Sequence, residues 1–323
     1  QTRVVLRKRG IAMTYTKKCN PLCKPHKYKK KEAFLGFLMA CGPFVGYCLF
    51  GLLPMIMSLW LSFTDMFGFD MFSATWCGLK NYIAIFKDED GMIRTAIVNS
   101  LYYCLSVPIN MGFSLFVANL LTKRLFGSKF VRIIMFIPSI CSSVGVTLMW
   151  SWILDSNYGV FNTVLAAIGL PKLGFISSPN LFMPSVLLIS LWQTGTNIVL
   201  MQSALSSVKT EVCEAAEIDG ASGMKVFWKI VVPMITPTLF YTMITSFTAA
   251  LQEMAVMQII SGNGYGPANR AVTLSYYMYL MSWRYYSRLG MGMASALGWL
   301  VAIAAIVFTR IMFKLQDRWV NYD

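Results

Sequence analysis

The sequence predicts an all-α, polytopic integral membrane protein with six transmembrane helices, on three observations. Its 323 residues are 56% hydrophobic and only 13% charged, with a mean hydropathy of +0.58, far from the roughly 45–50% apolar and 25% charged composition of a soluble domain. Apolar windows of about 20 residues, the length that crosses a bilayer, recur at about 34–63, 97–121, 131–154, 182–205, 236–260 and 289–313. The pieces between them alternate in basic content. Of the 28 Lys and Arg, 21 fall before the first window, in 122–132, in 205–233 and from Arg310 on, and seven fall in the other three loops. Basic residues are retained in the cytoplasm, so both termini and the loop after the fourth span are expected there. The net charge of +14 is then a topology and inner-leaflet signal, since the spans leave too little chain for a soluble nucleic-acid-binding domain.

Residues 1–33 form a basic cytoplasmic tail that closes on Lys27, Lys29, Lys30 and Lys31, 34–315 form the transmembrane domain, and 316–323 form a second cytoplasmic tail. Charge followed by an apolar run has the form of a secretory signal. Here the run is long and no small-residue cleavage site follows it, so it is expected to remain as an anchor. Cys19, Cys23 and His26 have the residue types of a metal site, but zinc takes four ligands and His26 is the chain's one histidine, so no metal is expected. Cys41, Cys48, Cys77, Cys104, Cys141 and Cys213 read mostly as small apolar fillers, and with only Cys77 clearly outside no disulfide framework is implied. The outer loops, about 64–96, 155–181 and 261–288, are punctuated by Gly159, Pro171, Pro179, Gly264 and Pro267. Trp76, Trp283, Tyr285 and Tyr286 near the span ends suit an aromatic belt at the membrane interface.

Between the fourth and fifth spans, Thr210 to Pro233 is polar and reads as two short helices broken at a glycine. Thr210 is expected to cap the first, with Glu211 and Glu214 in a first turn where the helix dipole favours negative charge. Ala215 and Ala216 keep one face small. Asp219-Gly220 ends the helix where glycine accepts a left-handed backbone. Ser222 is expected to cap the second helix, apolar through Val226, Phe227, Ile230, Val231 and Val232 up to Pro233 and Pro237.

The spacing Glu214-Ala215-Ala216, three residues, Gly220, nine residues, Ile230 and Pro233 resembles the EAA loop of bacterial ABC importer permeases, with Val232 where that family usually has leucine. Other stretches resemble landmarks of its MalF-like sugar permeases: Leu61 to Asp65, Gly78 to Tyr82, Phe136-Ile137-Pro138, Asn157 to Asn162, Gly262 to Pro267, and Thr273-Leu274 with Tyr276. The likeness runs from about residue 34 to 315. It implies the MetI/MalF-like permease fold and import of a carbohydrate, an oligosaccharide by preference, across the bacterial cytoplasmic membrane. It also implies a coupling helix seated on a separate ATPase, with Glu214, Ala215, Ala216, Asp219, Gly220, Ile230 and Pro233 as coupling residues. The partners it implies are a second homologous permease, two ATPase subunits and an extracellular substrate-binding protein, which the outer aromatics are also suited to touch. ATP and Mg would sit on the ATPase, with no cofactor on this chain. Accordingly the chain has no G-x-x-x-x-G-K-[ST] phosphate loop and no Ser/His/Asp or Cys/His set, and no catalysis is expected of it.

Polar groups inside a span face a cavity or a partner helix more often than lipid. Ser190, Gln193 and Asn197, three and four apart, share one helix face. Thr245, Thr248 and Gln252 form a similar stripe, and Glu253 beside it is the only acidic residue deep in any window. With Trp192 as an apolar platform, Gln193, Asn197, Gln252 and Glu253 suit the hydroxyls and ring faces of a sugar; bonding to neighbouring spans or to a second permease is the other reading. A glycerol-phosphate substrate would ask for basic residues at depth. An ion-coupled secondary transporter would ask for inverted repeats and midplane charges, of which only Glu253 is present.

Overall fold

The computed structural model describes residues 30–66, 74–122, 127–284, 290–317 and 319–320. Cys19, Cys23 and His26 and the aromatics Tyr285 and Tyr286 lie outside the described residues. By packing, the chain divides after Ile56. The helical run through α1 (Lys30–Tyr47), a π turn (Cys48–Leu52) and α2 (Leu53–Leu61) is long and apolar enough to cross a membrane from Phe34 to Leu61. The π turn has a local cause. A proline ring clashes with the carbonyl four residues back, and just ahead of Pro54 the ladder widens so that Leu53 N–H reaches Cys48 O.

Past the end of α2, a short antiparallel pairing joins β1 (Thr64–Asp65) to β2 (Thr75–Trp76), and the chain continues through α3 (Lys80–Lys87). The second apolar window is helical over Met92–Thr122, as α4 (Met92–Cys104) and α5 (Ser106–Thr122), interrupted at Leu105. The next three windows are bent. α6 (Ser128–Ile140) turns by 105° into α7 (Ser143–Ile153), and beyond α8 (Val160–Ala167), α9 (Pro179–Trp192) turns by 52° into α10 (Gly195–Ser207). Then come α11 (Thr210–Ile218), α12 (Gly223–Val226), a π turn (Phe227–Val231) and α13 (Val232–Met234), which meets α14 (Thr236–Leu251) at 68°. α15 (Ala255–Ile260) and α16 (Leu274–Tyr279) precede the 27-residue α17 (Gly290–Gln316). Among the described residues three helices are long and apolar enough to cross a membrane, and up to six spans result if each bent pair is one.

The third window therefore differs from the straight span its hydropathy suggests. Pro138 sits in the last turn of α6, and Cys141 and Ser142 then run extended, with ψ of 153° and 129°, so the chain redirects where the helical ladder is already incomplete. The fifth window stops short as well. α14 ends at Leu251, Gln252 to Met254 are non-helical, and α15 restarts the helix.

One core cluster joins α7, α9, α15 and α16 through Leu154, Phe182, Val186, Ile189, Met257 and Tyr276. Another joins α5, α10 and the start of α14 through Leu115, Ala118, Met201, Leu205, Ile235 and Leu239. Two glycines set close approaches. A Cβ on Gly195 would collide with Met135 O and come 2.9 Å from Ser139 Oγ, so α10 starts directly against α6; one on Gly292 would collide with Thr64 O and come 3.0 Å from Asn81 Nδ2.

Side-chain amides hold the outer loops. Asn81 donates to the carbonyls of Ser62 and Thr64, both at 2.9 Å, and the Tyr82 and Ser62 hydroxyls meet at 2.9 Å. Asn162 donates to Asp155 O and Leu173 O and accepts from Leu173 N. Asn99 of α4 donates to Asn269 O and Val272 O at 2.8 and 2.9 Å. A single amide closing a loop this way satisfies several buried backbone groups at once. Trp76 and Trp283 are exposed, as an interface or partner-facing aromatic should be.

Candidate functional site

Two places concentrate the chemistry. The first is the loop of α11 and α12. Its N-cap is Lys209, extended at φ −66° and ψ 125°, with no side-chain cap. Thr210 is thus the first helical residue, a correction to its expected capping role, because the chain is still extended one residue earlier. Ser222 does hold the N-cap position of α12, but its hydroxyl makes no capping bond either; its carbonyl takes Val226 N–H at 2.9 Å. Gly220 has φ +82°, with Gly220 N–H to Glu217 O and Ala221 N–H to Ala216 O both at 3.0 Å. These paired bonds are a Schellman close.

The two arms differ in burial. α11 buries no residue: Glu214, Ala215, Asp219 and Gly220 are exposed, Ala216 is half-buried, and Ile218 is 86% exposed. The second arm is anchored, with Val226 buried, Ile230 and Pro233 half-buried, and Phe227, Val231 and Val232 packed on the core of α5, α10 and α14. Its π turn, Val232 N–H to Phe227 O, again precedes a proline, Pro233. Thr236 Oγ1 then donates to Pro233 O at 2.7 Å across the 68° bend.

The second place is a polar cavity of about 180 Å³ walled by α4, α5, α9, α10, α14 and the residues after it. Gln193, Asn197 and Glu253 line it with Ser190, as the spacing in the fourth window predicts. Trp192 and Gln252 do not. Trp192 is partly exposed and packs edge-on against Trp150 at 5.8 Å, and Gln252 is exposed at the end of α14. The fifth-span stripe is also shifted. Thr245 and Thr248 return their hydroxyls to the carbonyls of Tyr241 and Ile244 at 2.9 Å, while Ser246, Ala249, Ala250 and Glu253 face the cavity. Sequence reading missed Tyr103, Ser106 and Asn110 on the opposite wall. The signal was there: Ser106 and Asn110 stand one helical turn apart in the second apolar window, and Ser114 continues the same face.

Three helix interruptions converge on this cavity: Tyr103 and Ser106 flank the one at Leu105, Gln193 and Thr194 form the second, and Glu253 lies in the third. Non-helical backbone at membrane depth is tolerated where it lines a cavity or is buried in protein. Asn110 Nδ2 donates to Ser190 Oγ at 3.3 Å, and the buried hydroxyls of Ser114 and Thr194 meet at 2.9 Å. Glu253 Oε1 accepts Val256 N–H at 3.0 Å, capping α15 and leaving its second oxygen to the cavity. Gln193 Nε2 is buried without a hydrogen-bond partner. Such a donor costs about 1–3 kcal/mol, and the residue that carries it lines the cavity.

Over 297 residues the chain is 30% identical to the probable ABC transporter permease protein YesP of Bacillus subtilis (strain 168), covering 91% of this chain and 94% of that one. It is 26% identical over 290 residues to the trehalose/maltose transport system permease protein MalF of Thermococcus litoralis, covering 90% and 96%. Its fold matches that of a bacterial ABC transporter involved in the import of the acidic polysaccharide alginate, with a TM-score of 0.73 at 22% identity over 90% of this chain and 98% of that one. A family model matches residues 110–322, from the cavity wall at Asn110 through the whole α11–α12 loop. The chain belongs to the family of binding-protein-dependent transport system inner membrane components.

Proposed function

We propose that this protein is the permease subunit of an ATP-driven importer that carries a carbohydrate, an oligosaccharide by preference, across the bacterial cytoplasmic membrane by alternating access. The observation that carries the reading is the pairing of a polar, cation-free cavity at three helix breaks with a loop whose first arm is wholly unburied. Amides, hydroxyls and one carboxylate suit a polyhydroxylated solute, each able to accept or donate to sugar hydroxyls. Exposed Ile218, Met224 and Trp228 on a loop between spans suit a partner surface. In this reading Glu214, Ala215, Ala216, Asp219 and Gly220 meet a separate ATPase, and Ile230 and Pro233 fix the arm that carries its motion inward. That ATPase holds ATP and Mg, and this chain performs no catalysis. Two ATPase subunits, a second homologous permease and an extracellular binding protein complete the machine, with both termini of this chain in the cytoplasm. Gln193, Asn197 and Glu253 contact solute in the path, and Trp192 and Gln252 stand outside this chain's cavity, where a second permease would meet them.

The test is purification from the native membrane followed by reconstitution with the proteins that accompany the chain. Co-purification of an ATPase and a second permease, with ATP-dependent sugar uptake into vesicles, is the expected result. A chain that comes out alone and transports on an ion gradient overturns the reading.

A further inference from the structure

A second cleft, of about 290 Å³, lies where α3 gives way to α4, and Lys80, Lys87, Asp88 to Asp90 and Tyr277 of α16 line it among apolar side chains. It is built on Asp88-Glu89-Asp90, the one run of adjacent acidic residues in a chain of net charge +14. Asp88 is committed to structure. At φ +43° it ends α3, and its two carboxylate oxygens accept Ile93 N–H and Arg94 N–H at 2.9 and 2.8 Å, starting α4. Lys80 on the rim is committed too, to Asp65 at 3.4 Å. Among the described residues Glu89 and Asp90 take part in no ion pair or hydrogen bond, and both are exposed.

Tyr277 is the second observation. The residue is only 4% exposed, yet it lines the cleft, and among the described residues its hydroxyl has no hydrogen-bond partner. Burial, with Asp90 and Asp88 nearby, pushes the phenol up to about 12, so the hydroxyl stays neutral. A buried phenol facing carboxylates, with lone pairs unused, offers the acceptors that a cation needs. A metal ion fits less well, because among the described residues no group of three His, Cys, Asp or Glu is placed to hold one.

We propose that this cleft receives a lysine or arginine side chain of the solute-binding protein, with Glu89 and Asp90 as carboxylate acceptors and the Tyr277 hydroxyl as a third acceptor. The proposal rests on the reading that the chain takes its solute from such a protein. It adds the place and the chemistry of the contact: an acidic cleft at the start of a span, where two exposed carboxylates stand beside a buried phenol.

The experiment uses the assembled transporter in lipid nanodiscs with the binding protein that supports uptake. A zero-length carbodiimide joins carboxylates to amines in contact, and mass spectrometry is expected to find Glu89 or Asp90 linked to a binding-protein lysine. Where the guest is an arginine, mutation supplies the second readout. Glu89→Gln with Asp90→Asn is expected to raise the binding-protein concentration for half-maximal ATPase stimulation about tenfold and flatten its salt dependence, and Tyr277→Phe is expected to raise it about threefold. ATPase activity without binding protein stays unchanged. Normal stimulation and unaltered salt dependence in these variants, or cross-links only to Lys80 or Lys87 of the same chain, overturn the proposal. A wild-type complex that ignores every binding protein overturns it together with the functional reading, which separates the two failures.

Discussion

The hydroxyls of Ser114 and Thr194 meet 2.9 Å apart in a fully buried position, tying α5 to the break between α9 and α10. Ser114 also donates toward Asn110 O at 2.6 Å, so one hydrogen-bond network runs from the cavity wall to the 52° bend. Thr194→Val keeps the shape and removes the hydroxyl, leaving Ser114 short of a partner at a cost of about 1–3 kcal/mol. Ser114→Ala acts likewise, and the double variant is expected to lose less than the sum of the two. Thermal denaturation of the assembled complex in detergent, run as a double-mutant cycle, checks this; strict additivity would show that the pair is not coupled.

The α11 loop should transmit force without touching solute. Glu214→Lys reverses a charge on an exposed helix face, and Gly220→Val puts a β-branched residue at φ +82°, strained by about 1–3 kcal/mol. Both variants are expected to abolish uptake and loosen ATPase association while the binding protein still takes up sugar normally. Wild-type uptake in either one removes the coupling role.

In the cavity, Gln193→Leu deletes the orphan donor and Glu253→Gln removes the charge but keeps an acceptor for Val256 N–H. The complex should assemble in both. The expected change is a rise in the sugar concentration for half-maximal uptake, by about 5- to 150-fold for Gln193→Leu if one solute hydrogen bond of about 1–3 kcal/mol is lost. Gln252→Ala, on the exposed end of α14, should have the smaller effect. Unchanged uptake in Gln193→Leu and Glu253→Gln together would place the solute path elsewhere.

Gly292→Ala tests the seam between α17 and the outer loop. The added methyl would run into Thr64 O, a backbone atom that cannot swing aside. Overpacking of this kind costs about 1–3 kcal/mol, so less protein in the membrane and a lower melting temperature are expected. Gly36→Ala, where nothing lies within 4 Å, is the matched control and should be silent.

The break of the α11 loop was legible, because a glycine at positive φ and the prolines that follow it leave few backbone options, whereas neither expected hydroxyl cap forms. Apolar windows located the helices but not their bends. A hydropathy average cannot register that Cys141 and Ser142 are extended, since lipid-facing helix and protein-lined break use the same residues. The fifth-span stripe was misread for a related reason. Thr245 and Thr248 look polar, yet each satisfies itself on a carbonyl one turn back; the cavity wall is made of Ala249 and Ala250, whose smallness is the whole signal. Tyr277 and Asp88 to Asp90 are 187 or more positions apart along the chain, and no local pattern could have joined them.

The elbow at Ile235, with Pro233 before it and Pro237 after it, acts as a crank. Proline carries no N–H, so at both positions the turn is made where the ladder has nothing to break, and the Thr236 strut to Pro233 O stiffens it. With 68° between the arms, a thrust along α12 and α13 arrives at α14 mostly as a sideways sweep rather than a push along its axis. Under the proposed coupling the stroke would arrive broadside to the helix that carries Ser246, with Glu253 just beyond its end, and a small displacement at the loop would change the width of the passage rather than its length.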